Sequence, residues 1–229
     1  MPAKSTRKNV CYTLSMKNLP FFANTPDNTR CVQAAFRIIL KYFMPERNFS
    51  YAQLDQMSQK MPGKGTWWPP MLIKLQKMGF SVKSIEAFDY KRFYKENEAY
   101  VRSIYPKEMA DYHLNQTNLK EIRPLIPEFL SKIVTATRPA TLKDIDNLLA
   151  DGWLVGVALN SRALNDKPGY AGHVVVVFGA DKNNFWLHDP GLPPMPSRKV
   201  SRQKLLEAWQ WAGKQNTNLA ALKASKNRT

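Results

Sequence analysis

Cysteine is scarce in these 229 residues. There are two, Cys11 and Cys31, too few for a disulfide framework. Neither stands in a Cys-x-x-Cys pair, which excludes the common structural zinc patterns. Histidine is almost as rare, with three copies: His113, His173 and His188. No run approaches the ~18 apolar residues of a membrane span. The first residues, MPAKSTRKNVCYTLSMKNLPFF, lack the apolar stretch of a secretory signal, so the expected compartment is the cytoplasm, where thiols stay reduced. Internal repeats and long low-complexity tracts are missing as well. Hydrophobic residues make up 44% and charged residues 23%, a balance that rules out a disordered body. A chain of this length buries roughly 70% of its unfolded surface and needs no covalent staple.

Acidic residues are in deficit. Lys and Arg number 34 against 18 Asp and Glu, a net charge of +16. The excess is spread out, with runs at Lys4–Lys8, Arg198–Lys204 and Lys223–Arg228. A basic surface favours acidic partners such as nucleic acid, anionic membrane or acidic polypeptide. No recognition motif accompanies the charge, so lysines solvating helix faces are the simpler account, and a sequence-specific nucleic-acid reader is not expected.

The periodicity divides the chain. Arg30–Phe43 carries apolar residues at three- and four-residue spacing, which predicts a helix. Asp27, Asn28 and Thr29 are each good caps, so this helix is expected to begin just before Cys31. Further helices are expected over Ser50–Met61, Trp67–Met78, most of Asp89–Ile133, Leu142–Ala150 behind Thr141, and Ser201–Trp211. Phe80–Ile85 reads as a short strand. From Trp153 the period changes. Trp153–Leu159, His173–Ala180 and Phe185–His188 are apolar runs parted by turn-rich loops, as in antiparallel hairpins. The expected class is α+β: a helical lobe over residues 1–140, an antiparallel sheet lobe over 141–217, and a basic tail over 218–229, together one domain with a cleft.

Three residues combine into chemistry. Cys31 in the first turn of a helix sits near unpaired N–H groups and the positive end of the macrodipole, which favour thiolate. Alone it would read as an inert core cysteine. His173 opens a strand after Gly172, a residue that lets a substrate approach the backbone. Alone it would read equally well as a structural histidine. Asp189 ends the next strand, one hairpin away, where a carboxylate can orient the imidazole. Alone, Asp189-Pro190-Gly191 is a turn. Together they form the Cys-His-Asp arrangement of thiol hydrolases. No cofactor and no metal are called for.

The segments Asn28-Thr-Arg-Cys31-Val-Gln-Ala-Ala, Gly172-His173-Val-Val-Val-Val-Phe-Gly179 and Leu187-His188-Asp189-Pro-Gly resemble the papain-like cysteine peptidases related to bacteriocin-leader-processing domains. The resemblance spans roughly residues 20–45 and 150–192. It implies a papain-type fold and hydrolysis of a peptide or amide through a thioester, with a peptide or protein as substrate. One feature departs from it. These families place a glutamine about six residues before the cysteine, to donate to the oxyanion, and here Thr25 stands there. Asn24, Asn28 and Gln33 are the nearby amides, and Asn28 is the expected donor. Loss of one such donor typically costs ~3 kcal/mol of transition-state stabilisation.

The remaining candidates are lesser ones. Strand alternation points His188 away from Asp189. His113 is expected at the surface of a polar helix. Trp67-Trp68 reads as a core anchor more readily than as a cleft wall. Cys11 has no identifiable partner. Two rival functions stay open at this level. One is a non-catalytic peptide-binding module on the same fold, and the other a basic nucleic-acid-associated protein.

Overall fold

The computed structural model describes residues 18–225. Cys11, the Lys4–Lys8 run and the end of the Lys223–Arg228 run lie outside them. Ten helices are seen among the described residues. They are α1 (Cys31–Phe43), α2 (Tyr51–Ser58), α3 (Pro69–Lys77), α4 (Tyr90–Glu96), α5 (Glu98–Ile104), α6 (Lys107–Asn115), α7 (Ile126–Lys132), α8 (Leu142–Ala150), α9 (Ser161–Leu164) and α10 (Arg202–Trp209). The strands are β1 (Phe80–Glu86), β2 (Val134–Thr137), β3 (Leu154–Asn160), β4 (Gly172–Ala180), β5 (Asn184–Asp189), β6 (Met195–Ser201) and β7 (Asn218–Ala224). No helix among the described residues is long and apolar enough to cross a membrane.

Local chemistry explains several boundaries. Ser50 and Gln53 form a reciprocal capping box that starts α2, and Thr141 with Asp144 does the same for α8, each satisfying two orphan backbone donors. Pro69 and Pro70 open α3, where a missing N–H costs nothing. Helix α1 begins where expected, at Cys31, but without the expected cap. Its N-cap is Arg30, with no side-chain cap. Asp27 instead accepts the hydroxyls of Thr25 and Thr29, and Asn24 Oδ1 accepts the Arg30 N–H at 2.8 Å. The loop before the helix is thus tied by its own side chains.

All strands join one sheet in the order β2-β1-β7-β3-β4-β5-β6. Side chains alternate along each strand and feed two apolar clusters, one per face. Val82, Leu154, Val174, Val176 and Leu222 pack against α1, α3, α4 and α7. Val155, Val157, Val175, Val177 and Leu219 pack against α8 and α10. The molecule is therefore α+β in three layers: helices, sheet, helices.

Three expectations fail here. Asn218–Ala224 of the expected basic tail form a strand. β7 pairs with β1 on one side and β3 on the other, and Leu219, Ala220, Ala221 and Leu222 are fully buried. Four small and apolar residues were too short a run to stand out among the lysines around them. The boundary at 140 fails with it, because β1 and β2 lie before that position and share the sheet with β3–β7. The sheet is also not wholly antiparallel, since β1 and β2 run parallel. The strands β2 and β6 have mixed sequences, VTAT and MPSRKVS, that offer little alternation.

Candidate active site

Three elements converge at one end of the sheet. Helix α1 presents Cys31 at its first position. β4 presents His173 as its second residue, and β5 ends on Asp189. Val176 pairs with His188 and Val177 with Leu187, so Asp189 sits diagonally across from His173 on one face, and His188 on the other. His173 Nε2 and Asp189 Oδ1 are 2.7 Å apart and both are buried. A carboxylate can only accept, so Nε2 carries the proton, and the remaining nitrogen, Nδ1, is the one free to meet the thiol.

The thiol is held for ionisation. Burial opposes it, but a hydrogen bond from His173, the charge on that ring and the backbone N–H groups of Val174 and Val32 together lower the Cys31 pKa. The histidine moves the other way. Burial disfavours its charge, yet Asp189 and Cys31 raise it to about 10. Both shifts run in the direction of a thiolate–imidazolium pair.

Asp189 is itself anchored from three sides. Besides His173 it accepts the Gly191 N–H at 3.0 Å and the Arg198 guanidinium at 2.9 Å on Oδ2. Arg198 also reaches the Leu164 carbonyl at 2.9 Å. These contacts outweigh burial and hold the Asp189 carboxyl below its ordinary range. Nothing in the sequence marks Arg198 as a site residue, because it lies in a basic run on β6. Gly191 permits the arrangement: a Cβ there would stand 2.9 Å from Asp189 Oδ1 and 3.2 Å from His173 Nε2.

Asn28 lies beside Cys31, in the left-handed region at φ 55°. Its Oδ1 accepts from Asn24 Nδ2 at 2.9 Å, so its own amide N–H groups remain to be used. Asn24 is buried, and its backbone N–H donates to the Pro190 carbonyl at 2.7 Å, which ties this loop to the Asp189 turn. Gln33 points elsewhere and bonds Ser58 and Thr66. His188 is structural: it contacts the Leu19 carbonyl through Nε2 at 3.1 Å and accepts the Ser197 N–H through Nδ1 at 2.9 Å. The described residues contain no cluster of three potential metal ligands.

A cavity of about 290 Å³ opens beside Cys31 and His173. Rings form one wall in sequence. Trp211 stacks on Tyr170 at 5.3 Å, Tyr170 meets Tyr112 at 5.4 Å, Tyr112 meets His113 at 5.5 Å, and His113 meets Trp67 at 5.2 Å. Gly172 leaves room for the Tyr170 and Tyr112 hydroxyls, 3.0 and 3.4 Å from where a Cβ would sit. Two expectations change. His113 is not on the surface but in this wall, where burial lowers its pKa to about 4 and its Nδ1 has no partner among the described residues. The second change is an addition: Trp68 is buried in the core and Trp67 packs against it, as expected, and both also line the cavity.

No protein-family model matches the chain, and no curated protein matches it in sequence. Two solved structures are similar to it over most of its length. The peptidase domain of Streptococcus ComA, a bifunctional ABC transporter involved in a quorum-sensing pathway, is 14% identical with a TM-score of 0.47, covering 90% of this chain and 99% of that one. A Bacillus anthracis protein described as a C39-like peptidase is 16% identical with a TM-score of 0.46, covering 93% of this chain and 98% of that one.

Proposed function

We propose that the chain is a thiol hydrolase that cleaves a peptide or amide bond through a thioester on Cys31. The observation that carries this reading is the imidazole of His173, held by Asp189 Oδ1 at 2.7 Å and close enough to Cys31 to lower its pKa, in the wall of a cavity that both line. The Cys31 thiolate attacks the carbonyl carbon. The oxyanion takes the Cys31 backbone N–H, unpaired at the helix start, and the Asn28 amide. His173 gives its Nδ1 proton to the leaving amine, and the carbon–nitrogen bond breaks. Water, losing a proton to the same nitrogen, then attacks the thioester and frees the acid product and the thiolate. Asp189 keeps Nε2 protonated throughout and stabilises the imidazolium. It does not itself take the proton.

A non-catalytic peptide-binding module on the same fold would have no use for a thiol tuned towards thiolate. Alkylation separates the two. Iodoacetamide at neutral pH should modify Cys31 much faster than Cys11, with the sites located by mass spectrometry. Equal rates, or faster reaction at Cys11, would refute the assignment.

A further inference from the structure

The cavity reaches well beyond the thiol. Glu86 pairs with Asn218, Asn218 with Ala158, and Ala158 with Val174, the neighbour of His173. Directly paired residues share a face, so these four form one row across the sheet. All four line the cavity. Three strand spacings separate its ends, roughly 14 Å.

Glu86 closes the far end of this row. Ser84 Oγ, Tyr90 OH and Trp68 Nε1 all donate to its Oε1, at 2.7, 3.2 and 3.4 Å. Oε2 accepts no hydrogen bond from a described residue. That oxygen is the one left to the cavity, which Glu86 lines. Its cross-strand neighbour Asn218 has an Oδ1 that is buried and unpartnered, and the unpartnered His113 Nδ1 belongs to the same cavity. Glu86 Oε2 and Asn218 Oδ1 are thus two neighbouring oxygens on one strand row with no donor among the described residues. Around them stand the faces and edges of Trp67, Trp68 and Tyr105. Burial lifts the Glu86 carboxyl to about 7, so a cation arriving beside it would favour the charged form.

A group that only donates, carries positive charge and prefers aromatic walls is an organic cation, and with Oε1 already taken by three donors the carboxylate suits a compact ammonium better than a guanidinium fork, which seeks two oxygens. We propose that the Glu86–Asn218 end of the cavity binds an ammonium group of the substrate and selects substrates that carry one near the scissile bond. The proposal rests on the thiol-hydrolase reading for its link to turnover. Counted from Val174, the neighbour of His173, that span equals the reach of about four extended residues. The ammonium belongs either to a lysine side chain or to the chain's amino terminus.

The test uses two chloroacetamide probes on linkers long enough to span the cavity. One ends in a primary ammonium and the other in the same amine acetylated. Each rate of Cys31 alkylation is divided by that protein's own iodoacetamide rate. In the wild type the ammonium probe should react at least about 10-fold faster than its neutral twin, and in Glu86→Gln the ratio should fall to about 1. Equal rates in the wild type, or a preference that persists in Glu86→Gln, would overturn the proposal. Independently of the thiol, n-butylammonium should change the tryptophan fluorescence saturably where butanol does not, and Glu86→Gln should lose the effect. If iodoacetamide fails to modify Cys31 but this titration succeeds, the hydrolase reading falls and the ammonium site stands. If the titration fails, the site falls. Peptides with free or acetylated amino ends, with and without lysine, then separate the two sources.

Discussion

Glu86 makes a sharp thermodynamic prediction. Its carboxyl is buried and shifted from an ordinary 4.5 to about 7, burial outweighing the hydrogen bonds from Ser84, Trp68 and Tyr90. The unfolded chain releases this proton near 4.5 and the folded chain near 7. Between those values the folded state binds more protons, so stability falls as pH rises through the window. A shift of about 2.5 units is worth roughly 3 kcal/mol, fully felt above pH 8 and absent below pH 4. Gln in the same place keeps an oxygen for the three donors and does not titrate. Glu86→Gln should therefore gain stability relative to wild type as pH increases, by roughly 3 kcal/mol between pH 4 and pH 8. Urea denaturation followed by tryptophan fluorescence, at intervals across that range, reads the difference. A gap between variant and wild type that stays constant within about 1 kcal/mol would refute the reasoning, because a carboxyl with no pKa shift contributes no slope.

Other perturbations test the site and the sheet. Asp189→Asn should fold normally and lower turnover by about two to four orders of magnitude, read as kcat on any cleaved peptide. An unchanged kcat would remove Asp189 from the mechanism. Gly191→Ala would push a Cβ against Asp189 Oδ1 and His173 Nε2 and should cost about 10- to 100-fold in kcat with little change in Tm. A variant with full activity would show that the pair tolerates displacement. Leu222→Ala, in the fully buried strand β7, should destabilise by about 2–5 kcal/mol in urea titration. A loss below about 0.5 kcal/mol would mean that the last strand is dispensable. His113, held near 4 by burial, should make the protein less stable as pH falls from about 6.5 to 4, and His113→Gln should flatten that slope. A slope unchanged in the variant would place His113 in water.

Much of the candidate site was legible because its parts are local. A cysteine following a cap-rich loop, a histidine after glycine at a strand start, and an aspartate before Pro-Gly each announce a backbone position. One hairpin then brings the last two together. The capping boxes at Ser50 and Thr141 likewise act within four residues, and the helices they begin were readable without any tertiary contact. Asn28 could be singled out as an amide near the cysteine. That its oxygen is engaged by Asn24, leaving the donor side free, depends on the fold of the loop.

What tertiary structure alone decided involves partners far apart in the chain. β7 is polar on both sides and carries only four buried residues, Leu219–Leu222. It becomes a central strand because β1 and β3, more than sixty residues apart from each other, present open edges to it. Arg198 belongs to a basic run like any solvated one until the β5–β6 pairing places it on Asp189. Glu86 and His113 look like ordinary polar residues of a strand and a helix. Burial against Trp68, Tyr90 and Tyr105 moves their protons into and out of the neutral range. Sequence period and local turns determine which elements form and that Cys31 stands at the start of a helix. Edge pairing, desolvation and long-range ion pairs are properties of the assembled layers, since each requires two segments that no local rule brings together.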